Sequence, residues 1–221
     1  MHVTLDLETH LGYIPPEFLA LEARVETMKP IRVSPLARII LKWTKRVVVK
    51  PEVFSFGQKT SQAQNVLICM PADVDRFAMV RDLLSTFVSI FQGKKVFVLL
   101  PFLEAEGYLS GSAAYEVIAA KRDDLNVFSL PGKHFLRRLK DLHFGISLDL
   151  DLEGGFFNCY LCARCGVPMR IGSKRKNAFP FYNVELEVQK DRFGSREVYE
   201  GLARTLKSLF APTGKGVPNP A

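Results

Sequence analysis

The sequence predicts an α/β domain with a mainly parallel sheet, preceded by a helical extension. Three observations carry this. From Asn65 onward, short apolar runs alternate with stretches of helical periodicity. The runs are apolar throughout rather than at every second residue, which marks strands buried on both faces. Before Asn65 the grammar differs: an acidic and apolar stretch over 1–28 gives way to 29–50, which has seven basic residues and no acidic one.

Within the extension, "PPEFLALEARVETMK" reads as a helix started by proline. "SPLARIILKWTKRVVV" has Ser34 as N-cap and Pro35 at the first helical position. Leu36, Ile39, Ile40, Trp43 and Val47 recur at helical spacing there, giving a basic amphipathic helix over 34–48. "PEVFSFGQKTSQAQ" reads as a linker, so 1–64 is expected as the extension, 65–210 as the α/β domain and 211–221 as a disordered tail.

In the α/β part, "NVLICMP" is a first strand. "DVDRFAMVRDLLSTFVSIF" is a helix with Phe77, Val80, Leu83, Leu84 and Phe87 inward. "GKKVFVLLP" is a second strand, "GSAAYEVIAAKRDD" a helix, "NVFSLP" a third strand, "KHFLRRLKDL" a helix and "FGISLDLD" a fourth strand. "FFNCYLCARC" is helical, "MRIGS" and "YNVELEVQ" are strands, and Ser195 opens a last helix, "SREVYEGLARTLKSLF".

Apolar residues make up 48% of the chain, enough for a sizeable core. No apolar run approaches the roughly 20 residues of a membrane span, and the N-terminus lacks the pattern of a signal peptide. A cytoplasmic location is expected. The net charge of +7 favours an anionic partner. The basic stretch holds one aromatic residue and no stacking platform, so nucleic acid is not expected. Arg38, Lys42, Trp43, Lys45 and Arg46 fit attachment to an anionic membrane surface, or else form the solvated face of a helix packed on the domain.

In a parallel sheet, ligands sit outside the carboxyl ends of strands, here 71–76, 101–107 and 149–155. Asp73, Asp75 and Arg76 lie in the first of these. A carboxylate there serves as a general base, or as an N-cap and first-turn acid. Asp149, Asp151 and Glu153 alternate after the fourth strand. They bind a ligand or divalent cation through oxygen, or stand solvated. No Gly-rich dinucleotide loop or Walker lysine follows the first strand. Cys159, Cys162 and Cys165 have metal-ligand spacing, but a helix places them on one face, where buried thiols are common. The fourth cysteine of a cluster motif is missing after Cys165, so no metal is expected.

From Asn65 to about 190 the chain resembles the N-terminal domain of heptosyltransferases, glycosyltransferase family 9. "ICMPADVDRFAMVRDLL" occupies the place of the family's first strand and loop. "GISLDLD" followed by "CGVPMRIG" is similar to a later strand, helix and signature, matched at Gly166, Pro168, Arg170, Ile171 and Gly172. The resemblance implies a Rossmann-like half of a GT-B fold at the inner face of the cell membrane. It implies no cofactor, a glycan or lipid-linked sugar as acceptor, and a base at Asp75. Two positions depart from the family pattern: Val74 replaces its glycine and Cys69 its arginine. The family's donor-binding half has no counterpart after about 190. The chain is therefore expected to be an incomplete transferase that needs a partner protein with a donor domain. A membrane scaffold without catalysis and a cysteine-based metal or redox protein are the alternatives.

Overall fold

The computed structural model describes residues 29–35, 37, 55–103, 105, 108–109, 112–153, 156–174, 181–187 and 195–211. Its first strand, β1 (Asn65–Cys69), is buried from Val66 onward, and its side chains serve two cores. Val66 and Ile68 point to one face, Leu67 and Cys69 to the other, as strand alternation requires. Each face then needs a cover of helices.

The strands β2 (Lys95–Leu103), β3 (Glu116–Ala120), β4 (Phe144–Asp149), β5 (Met169–Ser173) and β6 (Val184–Leu186) join β1 in a six-stranded sheet, ordered β3-β2-β1-β4-β5-β6. All five pairings are parallel. This is the Rossmann order, in which the chain reverses its direction of travel between β1 and β4.

Helix α1 (Phe56–Gln62) precedes β1, and α2 (Val74–Ile90) follows it. Then come α3 (Lys133–Asp141), α4 (Phe156–Arg164) and α5 (Arg196–Phe210). One face of the sheet packs on α2 through Phe77, Val80, Leu84 and Phe87 and on α5 through Tyr199, Leu202 and Leu206. The other packs on α3 through Phe135 and Leu139 and on α4 through Phe157, Leu161 and Cys162. Burying each such side chain contributes about 1.5–3 kcal/mol.

Two elements differ from the sequence reading. Glu116–Ala120, expected as helix, is the strand β3, paired with β2 from Phe97↔Glu116 to Leu103↔Ala120. "NVFSLP", expected as a strand, is a turn. The Asn126 Oδ1 accepts from Phe128 N (2.9 Å) and Leu130 N (3.1 Å), and Ser129 takes a positive φ of 58°. The expected linker also contains α1, which buries no residue of its own. Lys94 holds it, its Nζ donating to Thr60 O (2.8 Å) and Ala63 O (2.6 Å) at the helix's C-terminal end. Lys94→Met is expected to cost about 1 kcal/mol and to speed amide exchange in α1, both read from urea unfolding and hydrogen exchange.

The cysteines lie in the interior. Cys159 and Cys162 are buried on α4, Cys165 is half-buried just beyond it, and Cys69 Sγ lies 3.7 Å from Cys162 Sγ. Among the described residues no group of three metal-binding side chains comes together. Burial first, then Cys162, pushes the Cys165 thiol up to about 12, with Lys140 opposing. Burial and Cys162 likewise raise Cys69, and burial raises Tyr199.

A thiol raised in the folded state keeps a proton that the unfolded chain releases. Its stabilisation is therefore full below the ordinary thiol value of 9.0 and lost as pH climbs toward about 12. The urea midpoint should fall steadily through that range and fall less steeply in Cys165→Ser.

Candidate functional site

Where the sheet reverses, between β1 and β4, the loops after the two strands diverge and leave a crevice. Its cavity is about 510 Å³, lined by Pro30, Ile31, Arg32, Ala72, Asp73, Val74, Arg76, Asp151 and Glu153. That volume falls within the range of small-ligand sites.

The β1 side is built by the start of α2. Asp73 is its N-cap, the carboxylate accepting from Arg76 N at 3.1 Å. The cap fixes the first turn and so aims Arg76 across the gap. Arg76 Nη2 reaches Glu153 Oε1 at 2.6 Å, and its Nε lies 3.9 Å from Asp73 Oδ1. Burial works against the Arg76 cation, but Glu153, together with Asp73 and Tyr199, outweighs it and the net shift is upward.

The β4 side is set by Asp149, which is 1% exposed. Its Oδ1 accepts from Asp151 N (2.9 Å) and from Asn158 Nδ2 (3.0 Å), and its Oδ2 accepts from the Tyr182 hydroxyl. Asn158 Nδ2 also donates to Met70 O at 3.0 Å, tying the end of β1 to the same knot. The chain therefore turns after Asp149 and sends Asp151 and Glu153 to the crevice wall.

A third wall comes from outside the α/β run. Residues 29–33 lie antiparallel to the end of β2, with Pro30 bridging Phe102 and Ile31 N donating to Pro101 O at 2.9 Å. Ile31 joins the core on the α3 side, and Pro30 and Arg32 line the cavity.

Four residues singled out in the sequence thus meet at one place: Asp73, Arg76, Asp151 and Glu153. Two do not. Asp149 is enclosed by protein hydrogen bonds, because β4 ends at that residue and the alternation that would align the three acids stops there. Asp75 is exposed in the first turn of α2 and does not line the cavity. Arg38, Lys42, Trp43, Lys45 and Arg46 lie outside the described residues.

The sequence offered no sign of Pro30, Ile31 and Arg32 as a wall. Their position depends on pairing with β2, about 70 residues away along the chain. Tyr182 was also missed. Its signal is Gly172, where an added Cβ would come within 2.5 Å of the tyrosine ring. The bare backbone lets the ring lie across β5 and reach Asp149.

The remaining signature residues serve architecture. Gly166 ends α4 with a φ of 72°, and Arg170 donates from Nε to Phe181 O and from Nη1 to Val167 O, both at 2.6 Å.

No helix among the described residues is long and apolar enough to cross a membrane. No protein-family model matches the chain, and no curated protein matches it. Two solved structures are similar. One is the ADP-heptose lipopolysaccharide heptosyltransferase II of E. coli, at 17% identity and TM-score 0.48, over 63% of this chain and 40% of that one. The other is a family 9 glycosyl transferase of Veillonella parvula, at 13% identity and TM-score 0.41, over 65% of this chain and 41% of that one. The chain spans about two fifths of the length of either structure.

Proposed function

We propose that the chain is a heptosyltransferase-like sugar-binding domain. In this reading it takes a glycan or envelope precursor in the crevice and works at the inner face of the cell membrane. The observation that carries the reading is the crevice wall itself: Asp73, Arg76, Asp151 and Glu153 around a cavity of about 510 Å³ at the strand reversal.

A sugar ring offers hydroxyls that donate to carboxylates and accept from a guanidinium, and apolar C–H faces that suit Pro30, Ile31 and Val74. A phosphate fits less well. It would seek the amides at the start of α2, where the Asp73 carboxylate already accepts from Arg76 N. Asp75, the base implied by the family resemblance, stands off the wall. That supports binding as the role of this crevice. The basic stretch 29–50 supplies the attraction to anionic lipid.

Calorimetric titration with delipidated lipopolysaccharide core oligosaccharide tests the binding role. The wild-type chain should bind, and Glu153→Gln should weaken binding about tenfold, the loss of roughly one charge-assisted hydrogen bond. Absence of binding, or equal binding by both proteins, would sink the reading.

A further inference from the structure

Helix α3 buries Phe135, Leu136 and Leu139 and leaves Lys133, Arg137 and Lys140 exposed. The spacing i, i+4, i+7 puts the three cations in one stripe along the helix. Among the described residues none of the three has a carboxylate partner. Other cations are paired: Arg138 meets Asp124 at 3.4 Å, and on the far side of the sheet Arg196 meets Glu200 at 3.0 Å. The acids exposed near the stripe are Asp123 and Asp141.

Beside α3 stands the turn over 126–130. It is held by the two hydrogen bonds to Asn126 Oδ1, by Asn126 N donating to Leu130 O at 2.9 Å, and by the bridge between Leu125 and Pro131. This frame presents Val127 at 91% exposure while Leu130 is buried. A single exposed valine is ordinary on a protein surface. Its surroundings are not.

Ser34 N donates to Phe128 O at 3.0 Å, and Ala37 packs in one cluster with Leu130 and with Leu136 of α3. The apolar tip, the cationic stripe and the entry to the basic stretch 29–50 therefore occupy one side of the molecule.

We propose that this side is the membrane-docking surface: Val127 enters the headgroup region of an anionic bilayer, and Lys133, Arg137 and Lys140 meet lipid phosphates. The proposal rests on the membrane part of the function proposed above and extends it beyond the helix of 34–48. An anionic bilayer suits both halves of the surface, since unpaired cations gain from the negative surface potential and an apolar tip gains from leaving water. Nucleic acid would satisfy only the cations. The described residues expose no Phe, Tyr or Trp ring on which a base could stack, only the imidazoles of His134 and His143.

Cosedimentation of the full chain with vesicles of phosphatidylcholine, with and without phosphatidylglycerol, tests it. The wild type should bind only the anionic vesicles. The triple variant Lys133→Glu, Arg137→Glu, Lys140→Glu should bind about a hundredfold more weakly. Val127→Asp should weaken binding severalfold, and that loss should persist at high salt, where screening removes the charge contribution. All four positions are exposed, so urea midpoints should match the wild type.

Wild-type-like binding by the triple variant and by Val127→Asp would overturn the proposal. If Lys42→Glu, Lys45→Glu, Arg46→Glu then abolished binding, the membrane reading would stand without it. No wild-type binding would remove both. Tighter binding to single-stranded RNA than to anionic vesicles at equal salt would also overturn it.

Discussion

Asp149→Ala is expected to lower the free energy of unfolding by about 3–4 kcal/mol, the sum of a lost charged acceptor and buried donors left without it. That is a large share of a domain's usual stability. The carboxylate ties three parts of the chain: the turn at Asp151, Asn158 on α4 and Tyr182 ahead of β6. Alanine leaves the Tyr182 hydroxyl without this acceptor in the interior. It also leaves Asn158 Nδ2 with Met70 O as its remaining described partner. Asp149→Asn keeps the shape and one acceptor and should cost about half as much. A double-mutant cycle with Tyr182→Phe should show a coupling of about 1 kcal/mol or more. Urea unfolding decides: a loss under 1 kcal/mol for Asp149→Ala would mean that the knot contributes little.

Gly145→Ala is expected to cost about 2–3 kcal/mol by overpacking. A Cβ at this position of β4 would lie 2.5 Å from Ala63 Cβ and 2.7 Å from Ala63 Cα. The obstacle includes backbone, so no rotamer change relieves it. The joint between α1 and β1 has to move instead, and Lys94, which holds Ala63 O, moves with it. Thermal unfolding should show the loss, and amide exchange in α1 should accelerate. An unchanged melting temperature would show that α1 shifts freely.

Much of the fold was legible because a parallel sheet leaves a strong trace. β1, β2 and β4 are apolar runs of strand length, and their burial on both faces is what such runs encode. α2 was legible from the inward positions Phe77, Val80, Leu84 and Phe87.

The misreading of β3 has a specific cause. "YEVIAA" holds two β-branched residues and two alanines, and a run that short fits either period. Pairing with β2 decides it, and no local signal records that pairing. In "NVFSLP" the apolar residues favour a strand, but the side chain of Asn126 competes for the backbone and makes a turn.

The candidate site was legible to the extent that position in an α/β sheet implies position at a crevice. Asp73, Arg76, Asp151 and Glu153 follow strand ends and line the cavity. The enclosure of Asp149 was not legible, because it depends on Tyr182, 33 residues away in sequence.

The order of strands also sets a timetable for synthesis. β1 is the middle of the sheet, yet one of its two neighbours is β4, and Asn65 Nδ2 donates to Leu142 O across 77 residues of chain. At about 5–20 residues per second, β1 emerges from the ribosome roughly 4–15 seconds before β4 exists to pair with it. During that interval one edge of this apolar strand stands open. Agents that shield bare β-edges should therefore raise the yield of newly made chain far more than they raise the stability of finished protein.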